Sequence, residues 1–350
     1  MSVVSPEPAQ TDVVEPIFRA RILYRESSGP IHLDWPVERL PEALQDAQGI
    51  VWVDLDDRGS SFSADAERIL RDLFHFHPLA IEDALKETHV PRVDDWGEYL
   101  YIVFHAIEFD RQSGELKLHE LDVFLGSNYL VTYHTEPLPY LEQDRRNIER
   151  DPIKRMRHGP DHLLYRFLDM AVAEFLPAIE HLDEAIDEAQ EEVFSRPTRE
   201  TIKKIFHVKR AALRLHRILS PEREVLNRLA RDAFDPIAED HRVYFRDVYD
   251  HIVRVHDLTE TLRDLISGAL DTYLSAISNR TNDIMKALTT FTVMFLPMSF
   301  LTGFFGMNFF GETLAFQAPL PRLFLFLSTC TVMALGFVGL GYMARRKGWI

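Results

Sequence analysis

One cysteine, Cys330, stands in 350 residues. Its solitude excludes a disulfide framework and any site built from several thiolates. Positive charge is also scarce: 39 Lys and Arg face 55 Asp and Glu, a formal net charge of −16. A nucleic-acid partner is therefore excluded, because phosphates need a basic face to neutralise them. No GxxxxGK(S/T) phosphate loop occurs, which removes the usual cradle for ATP. The GxSxG turn that exposes a nucleophilic serine is missing too, so the reading is of a non-enzyme. The opening stretch MSVVSPEPAQTD has neither the basic nor the apolar segment of a signal peptide. Residues 1–16, rich in Pro, Ser and Glu, are expected to be disordered.

A further lack is local. No formal charge occurs in the 25 residues between Lys286 and Glu312, nor in the 22 between Arg322 and Arg345. At about 1.5 Å per residue each run reaches across a hydrocarbon layer roughly 30 Å thick. Two buried core helices are the plain rival, but two such runs in succession are rare in soluble domains. The spacing predicts transmembrane helices over 286–308 and 322–344, an external loop over 309–321 and a basic tail over 345–350. From Lys286 onward the net charge is +4; the preceding 285 residues carry −20. Lys286 before the first span and Arg345, Arg346 and Lys347 after the second place both termini in the cytoplasm, with Arg322 the one dissenting charge. The expectation is a multi-pass protein of the cell (inner) membrane, its partner the lipid bilayer. A reduced lone cysteine suits a cytoplasmic body.

Within residues 17–140, GIVWVDLDD (49–57), EYLYIVFHAIEFD (98–110) and LDVFLGSNYLVTYH (121–134) read as strands. Gly126-Ser127-Asn128 reads as a hairpin turn. SADAERILRDLF, with Ser63 as its cap, and HPLAIEDALK read as helices. His75 and His77 flank Phe76; with no third ligand nearby, a packed or capping pair is the better reading than a metal pair. Residues 141–240 read as an acidic helical hairpin, with helices over Asp161–Phe194, despite Pro177, and Arg199–Asp232. Residues 241–285 form a stalk helix that runs without a break into the first span, about 95 Å from His241 to Phe305. Val248, Ile252, Val255, Leu258, Leu262, Leu265 and Ala269 form a heptad-like seam asking for partner helices. The fold class is thus an α/β cytoplasmic domain plus a long helical stalk and two C-terminal transmembrane helices.

In the first span Met285, Leu288, Thr292, Leu296, Ser299 and Gly303 recur at steps of 3, 4, 4, 3 and 4. Such a stripe serves either as a packing face or as a pore lining, and the spacing alone does not choose. Pro297 removes one backbone hydrogen bond. Two spans per chain do not enclose a conduit, so a pore requires an oligomer.

The first span ends in Phe305-Gly306-Met307-Asn308-Phe309. Gly-Met-Asn at this place resembles the signature of the CorA family of divalent-cation (magnesium/cobalt) transporters. HPLAIEDAL (77–85), VPRVDDWGEYLYIVF (90–104), VFLGSNYLVTYH (123–134) and the stretch 245–289 extend the resemblance along residues 17–350. It implies a homopentamer with the first spans around a central pore, and Gly306, Met307 and Asn308 as a selectivity filter for a hydrated cation. It also implies Asn282, Met285, Leu288, Thr292, Leu296, Ser299 and Gly303 as pore-lining. A cytoplasmic regulatory Mg²⁺ site between subunits is carried over to Asp83 and Asp247. The family's Met-Pro-Glu-Leu loop is replaced here by Phe309-Phe310-Gly311-Glu312-Thr313-Leu314, with Glu312 the loop's acid. Glu180, Asp183, Glu184, Asp187, Glu188, Glu191 and Glu192 share a helical face whose like charges repel unless cations attend them. A basic ring of Arg345, Arg346 and Lys347 is the expected complement.

The expected function is passive Mg²⁺ influx along the membrane potential, gated by cytoplasmic Mg²⁺, with Co²⁺ or Ni²⁺ as further ions. A Zn²⁺ or Co²⁺/Ni²⁺ transporter, with or without proton coupling, is the rival within transporters. A membrane-tethered sensor without transport is the rival of another class.

Overall fold

The computed structural model describes residues 18–58, 64–86, 90–110, 115–307 and 319–346. The chain divides into two compact units, residues 1–188 with 203–267, and residues 189–202 with 268–350. The Ser63 cap falls outside the described residues.

The first unit is built on a seven-stranded sheet. Its strands are β1 (Phe18–Arg25), β2 (Ile31–His32), β3 (Ile50–Asp57), β4 (Arg92–Asp95), β5 (Leu100–Asp110), β6 (Glu115–Leu125) and β7 (Tyr129–His134), in the order β2-β1-β3-β7-β6-β5-β4. Every neighbouring pair is antiparallel except β3 with β7. β3, sequence IVWVDLDD, is buried along its whole length, which requires cover on both faces. One face packs on α1 (Leu40–Gln45), α2 (Ala64–Arg68) with the π-helical turn that follows it, and α3 (Pro78–Leu85). Val51, Val53, Leu55, Tyr101, Phe124 and Val131 meet Leu40, Leu70 and Ile81 there. Alternate residues point to the other face, where Trp52 meets Phe167 with ring centroids 4.8 Å apart.

Gly126 opens the turn between β6 and β7, donating its N–H to the Tyr129 carbonyl at 2.9 Å. A Cβ there would strike the Tyr129 ring, so the turn admits only glycine without rearrangement. His77 caps α3 by accepting the Leu79 N–H at 3.2 Å and stacks on Trp96 at 4.3 Å. Phe76 stacks on Phe124 at 4.2 Å. The His75-Phe76-His77 step is therefore a cap and a core anchor.

The helices that follow are α4 (Pro139–Arg150), α5 (Pro152–Arg155), α6 (Pro160–Ala173), α7 (Phe175–Ser195), α8 (Arg199–Arg231), α9 (Arg242–Gly306) and α10 (Pro319–Arg346). The single helix expected over Asp161–Phe194 is two. α6 ends at Ala173 and α7 begins at Phe175. Pro177 favours the break: it has no N–H for the Ala173 carbonyl and its ring crowds that group, and the chain restarts with Pro177 in the first turn of α7, although Pro221 in α8 and Pro297 in α9 are accommodated inside their helices.

α9 is one 65-residue helix that accommodates Pro297 without ending. Its buried seam corrects the expected one. Phe245, Val248, Ile252, Val255, Thr259, Leu262, Ile266 and Ala269 are buried, at alternating steps of 3 and 4, whereas Leu258 and Leu265 are 39% and 36% exposed. The strict 3.5-residue repeat selects Thr259 over Leu258, despite its hydroxyl. That hydroxyl donates to the Val255 carbonyl at 2.9 Å, which removes the cost of burying it.

In the second unit, Thr198 and Thr201 organise the start of α8, and the Tyr273 hydroxyl donates to the Thr198 carbonyl at 3.1 Å. From Leu274 onward large apolar side chains stand exposed, among them Ile284, Phe291, Phe295 and Phe300.

Candidate ion pathway and flanking charges

The C-terminal part of α9 carries two stripes of opposite character. Asn282, Met285, Leu288, Thr292, Leu296, Ser299 and Gly303 are all exposed. Thr290 is buried, and Met294, Met298 and Leu301 are half-buried. At 3.6 residues per turn these two sets lie on opposite sides of the helix. Met294 of the second set meets α10: a Cβ added to Gly341 would lie 3.7 Å from Met294 Cε. The expected pore stripe is thus not the face that α9 offers to α10. Thr292 satisfies its hydroxyl on the Leu288 carbonyl at 2.9 Å, so the stripe presents polarity without an orphaned donor.

α9 stops at Gly306, and the Met307 N–H closes the last turn on the Gly303 carbonyl at 3.1 Å. Among the described residues, a Cβ at Gly303 or Gly306 would meet nothing within 4 Å, so their packing does not call for either glycine. Met307 is exposed. Asn308, Glu312 and Lys347 lie outside the described residues, while Arg345 and Arg346 are exposed in the last turn of α10. Cations there complement the partial negative charge of a helix C-terminus.

The two carboxylates expected to sense cytoplasmic ions have different surroundings. Asp83, on α3, is paired with Arg92 at 2.5 Å. Arg92 also holds Asp94 at 2.9 Å and lies over the Tyr101 ring, 5.5 Å from its centroid. The Tyr101 hydroxyl donates to Asp122 at 2.6 Å. Burial, reinforced by the neighbouring Glu120 charge, pushes the Asp122 carboxyl well up, which favours its neutral form. Asp247 is exposed on α9, one residue before Val248 of the buried seam. Among the described residues, the structure gathers neither Asp83 nor Asp247 into a cluster of three metal-binding side chains. A divalent ion on Asp83 has to compete with Arg92. Sequence reasoning missed that cation, although the alternation in VPRVDD placed Arg92 and Asp94 on one face of a strand.

On α7 the acids Glu180, Asp183, Glu184, Asp187, Glu188 and Glu191 are exposed, and the half-buried Glu192 accepts the Thr201 hydroxyl at 3.0 Å. Leu182, Ile186, Ala189 and Val193 occupy the buried side. This is an amphipathic helix with a strongly anionic solvent face.

An α/β unit, a very long helix whose final third exposes apolar side chains, and a second apolar helix make up a membrane protein with a folded domain in water. The chain belongs to the family of CorA-like Mg²⁺ transporter proteins, whose pattern matches residues 47–346. It is similar to the cobalt/magnesium transport protein CorA of Thermotoga maritima, 36% identical over 68% of each chain. The putative metal ion transporter YfjQ of Bacillus subtilis is 30% identical over 90% of this chain and 93% of its own. The complete structure of the CorA magnesium transporter from Methanocaldococcus jannaschii shares the fold, with a TM-score of 0.76 at 22% identity, covering 95% of this chain and 98% of that one. The family is one of divalent-cation transporters, and its setting is a membrane.

Proposed function

We propose that the chain assembles as a homopentamer and passes Mg²⁺ inward down the membrane potential through a pore lined by α9. The observation that carries this reading is the exposed stripe from Asn282 to Gly303, which faces away from α10 and leads to Gly306-Met307-Asn308. Five copies would bring those stripes together around one axis. Mg²⁺ sheds water reluctantly, so rings of amide and carbonyl oxygens at Asn308 and Gly306 suit a cation that keeps its first hydration shell. Met285, Leu288 and Leu296 supply apolar rings at which dewetting blocks a hydrated ion. Two charges falling through 100 mV release roughly 4.6 kcal/mol, enough for passive uptake. A divalent ion that displaces Arg92 from Asp83 and bridges it to Asp247 of a neighbouring copy would couple cytoplasmic Mg²⁺ to the closed state. Both termini then lie in the cytoplasm, and Arg345, Arg346 and Lys347 balance the acids of α7.

The test is ion entry into proteoliposomes at an inside-negative potential, with Mg²⁺, Co²⁺, Ni²⁺ and Zn²⁺ in parallel. Potential-driven Mg²⁺ entry is expected, and Asn308→Ala should abolish it while the assembly keeps its size. Undiminished flux in that variant would sink the filter assignment. Zn²⁺ entry that needs a proton gradient would move the chain to a proton-coupled carrier. No flux of any ion from a folded oligomer would leave a tethered sensor.

A further inference from the structure

Two histidines and a glutamate that play no part in the pathway converge in the first unit. His216 projects from α8; His256 and Glu260 lie one turn apart on α9. One ligand atom of each falls within 4.8 Å of the other two. His216 Nε2 is 2.7 Å from Glu260 Oε1, and the two imidazole centroids are 5.4 Å apart. Residues i and i+4 of a helix present ligands on one face, and a third from a neighbouring helix completes a facial set. The His256 side chain is only 13% exposed; its buried Nδ1 makes no hydrogen bond and lies 3.7 Å from Asp257 Oδ1. Glu260 and His216 are 43% and 32% exposed, which leaves an open side for water.

The geometry points to a binding site for one borderline divalent ion of the Zn²⁺ or Co²⁺ kind, held by His216, His256 and Glu260 with water as the fourth ligand, tying α8 to α9. The donor set decides the class. Two neutral imidazoles and one carboxylate suit tetrahedral Zn²⁺ or Co²⁺, whereas Mg²⁺ demands oxygen and octahedral geometry. The site is thus chemically separate from any that serves the transported Mg²⁺. Arg263 Nη1 donates to the same Glu260 oxygen at 2.7 Å. It competes with the ion for that oxygen and repels it, so the apo state is held by Arg263 and the loaded state releases it.

The full-length protein in detergent, with millimolar-scale Mg²⁺ filling the oxygen sites, is titrated with Co²⁺ and followed by visible absorption. One Co²⁺ per chain with the intense bands of a four-coordinate, nitrogen-bearing site is expected, and Zn²⁺ should displace it. Hydrated Co²⁺ in a pore gives only the weak octahedral spectrum, so the readout does not depend on transport. His216→Asn and His256→Asn should each weaken binding at least about tenfold, since even an outer partner of a ligand is worth that much. Arg263→Gln should tighten it, an effect that a general loss of folding does not produce. A purely octahedral spectrum, or four-coordinate binding undiminished in the doubly substituted His216→Asn/His256→Asn protein, would overturn the site.

Discussion

The two units of this chain bury their apolar residues by different means. In the α/β unit Trp52, Tyr101, Phe104 and Phe124 are fully enclosed by the chain itself. In the apolar stretch of α9 only 6% of the residues are buried, and Phe291, Phe295 and Phe300 are each more than half exposed. Apolar surface removed from water is worth about 25 cal/mol per Å², so one unit is stable by its own packing while the other requires a different solvent or further copies. α9 carries both regimes in one helix. Its first half repeats at 3.5 residues with one narrow buried seam; its last third is apolar nearly all round. A seam asks for a partner helix, and an all-round apolar surface asks for lipid.

That contrast can be broken most strongly by deleting an aromatic ring on each side of it. Phe124→Ala removes a fully buried ring that touches Phe76 and Tyr101. Denaturant unfolding followed by Trp52 fluorescence should show a loss of about 3–5 kcal/mol in the α/β unit. Phe300→Ala removes an equal ring that is 69% exposed and should leave the same transition in place. Equal losses would erase the distinction between the units.

A second test concerns charges that the α/β unit buries. Thr132 donates to Asp54 at 2.8 Å, and His134 Nε2 lies 3.2 Å from the same oxygen. Burial works against the charged form of each. The partner's charge nevertheless holds Asp54 below its ordinary 3.8 and His134 above its ordinary 6.5. A depressed acid contributes stability above 3.8 that disappears as pH falls through its folded pKa. A raised histidine contributes stability below 6.5 that disappears as pH rises through its folded pKa. The pair therefore contributes most between about pH 4 and 6.5. Melting temperature should peak in that window, and His134→Asn should flatten the profile on the alkaline side. A peak above pH 8 would contradict the pairing.

The smallest effect is expected where burial already favours the neutral form. Glu222, on α8, is fully buried and accepts the His105 N–H at 2.9 Å, just past the end of the β4–β5 register at Val103. Burial pushes its carboxyl well above the ordinary 4.5. A raised acid loses its stabilising share as pH rises, so Glu222→Gln, which keeps an acceptor and sheds the titration, should be neutral or slightly stabilising at pH 7 to 8. Glu222→Ala orphans the N–H and should cost about 1–3 kcal/mol in the same unfolding experiment.

Much of the fold was legible because its signals are local. β3, β5 and the β6–β7 hairpin follow from β-branched and aromatic runs punctuated by Gly126. Two charge-free runs mark the apolar helix ends, and Gly306-Met307 sits where α9 stops. The break between α6 and α7 was present in Pro177 but was read as tolerated. The seam failed at Leu258 and Leu265 because residue type was preferred to strict period, and Thr259 is admitted by a backbone bond that composition does not display.

By itself, then, the sequence determined the central strands, the long helices, the apolar runs and the family, since each depends on neighbours within a few turns of one another. Only the tertiary structure decided that α10 meets α9 at Met294 and leaves the opposite stripe open. It alone placed Arg92 against Asp83 and brought His216 within reach of His256 and Glu260. Those pairings join residues distant along the chain, and the packing of helix on helix and strand on strand, rather than any local preference, sets which side chains meet.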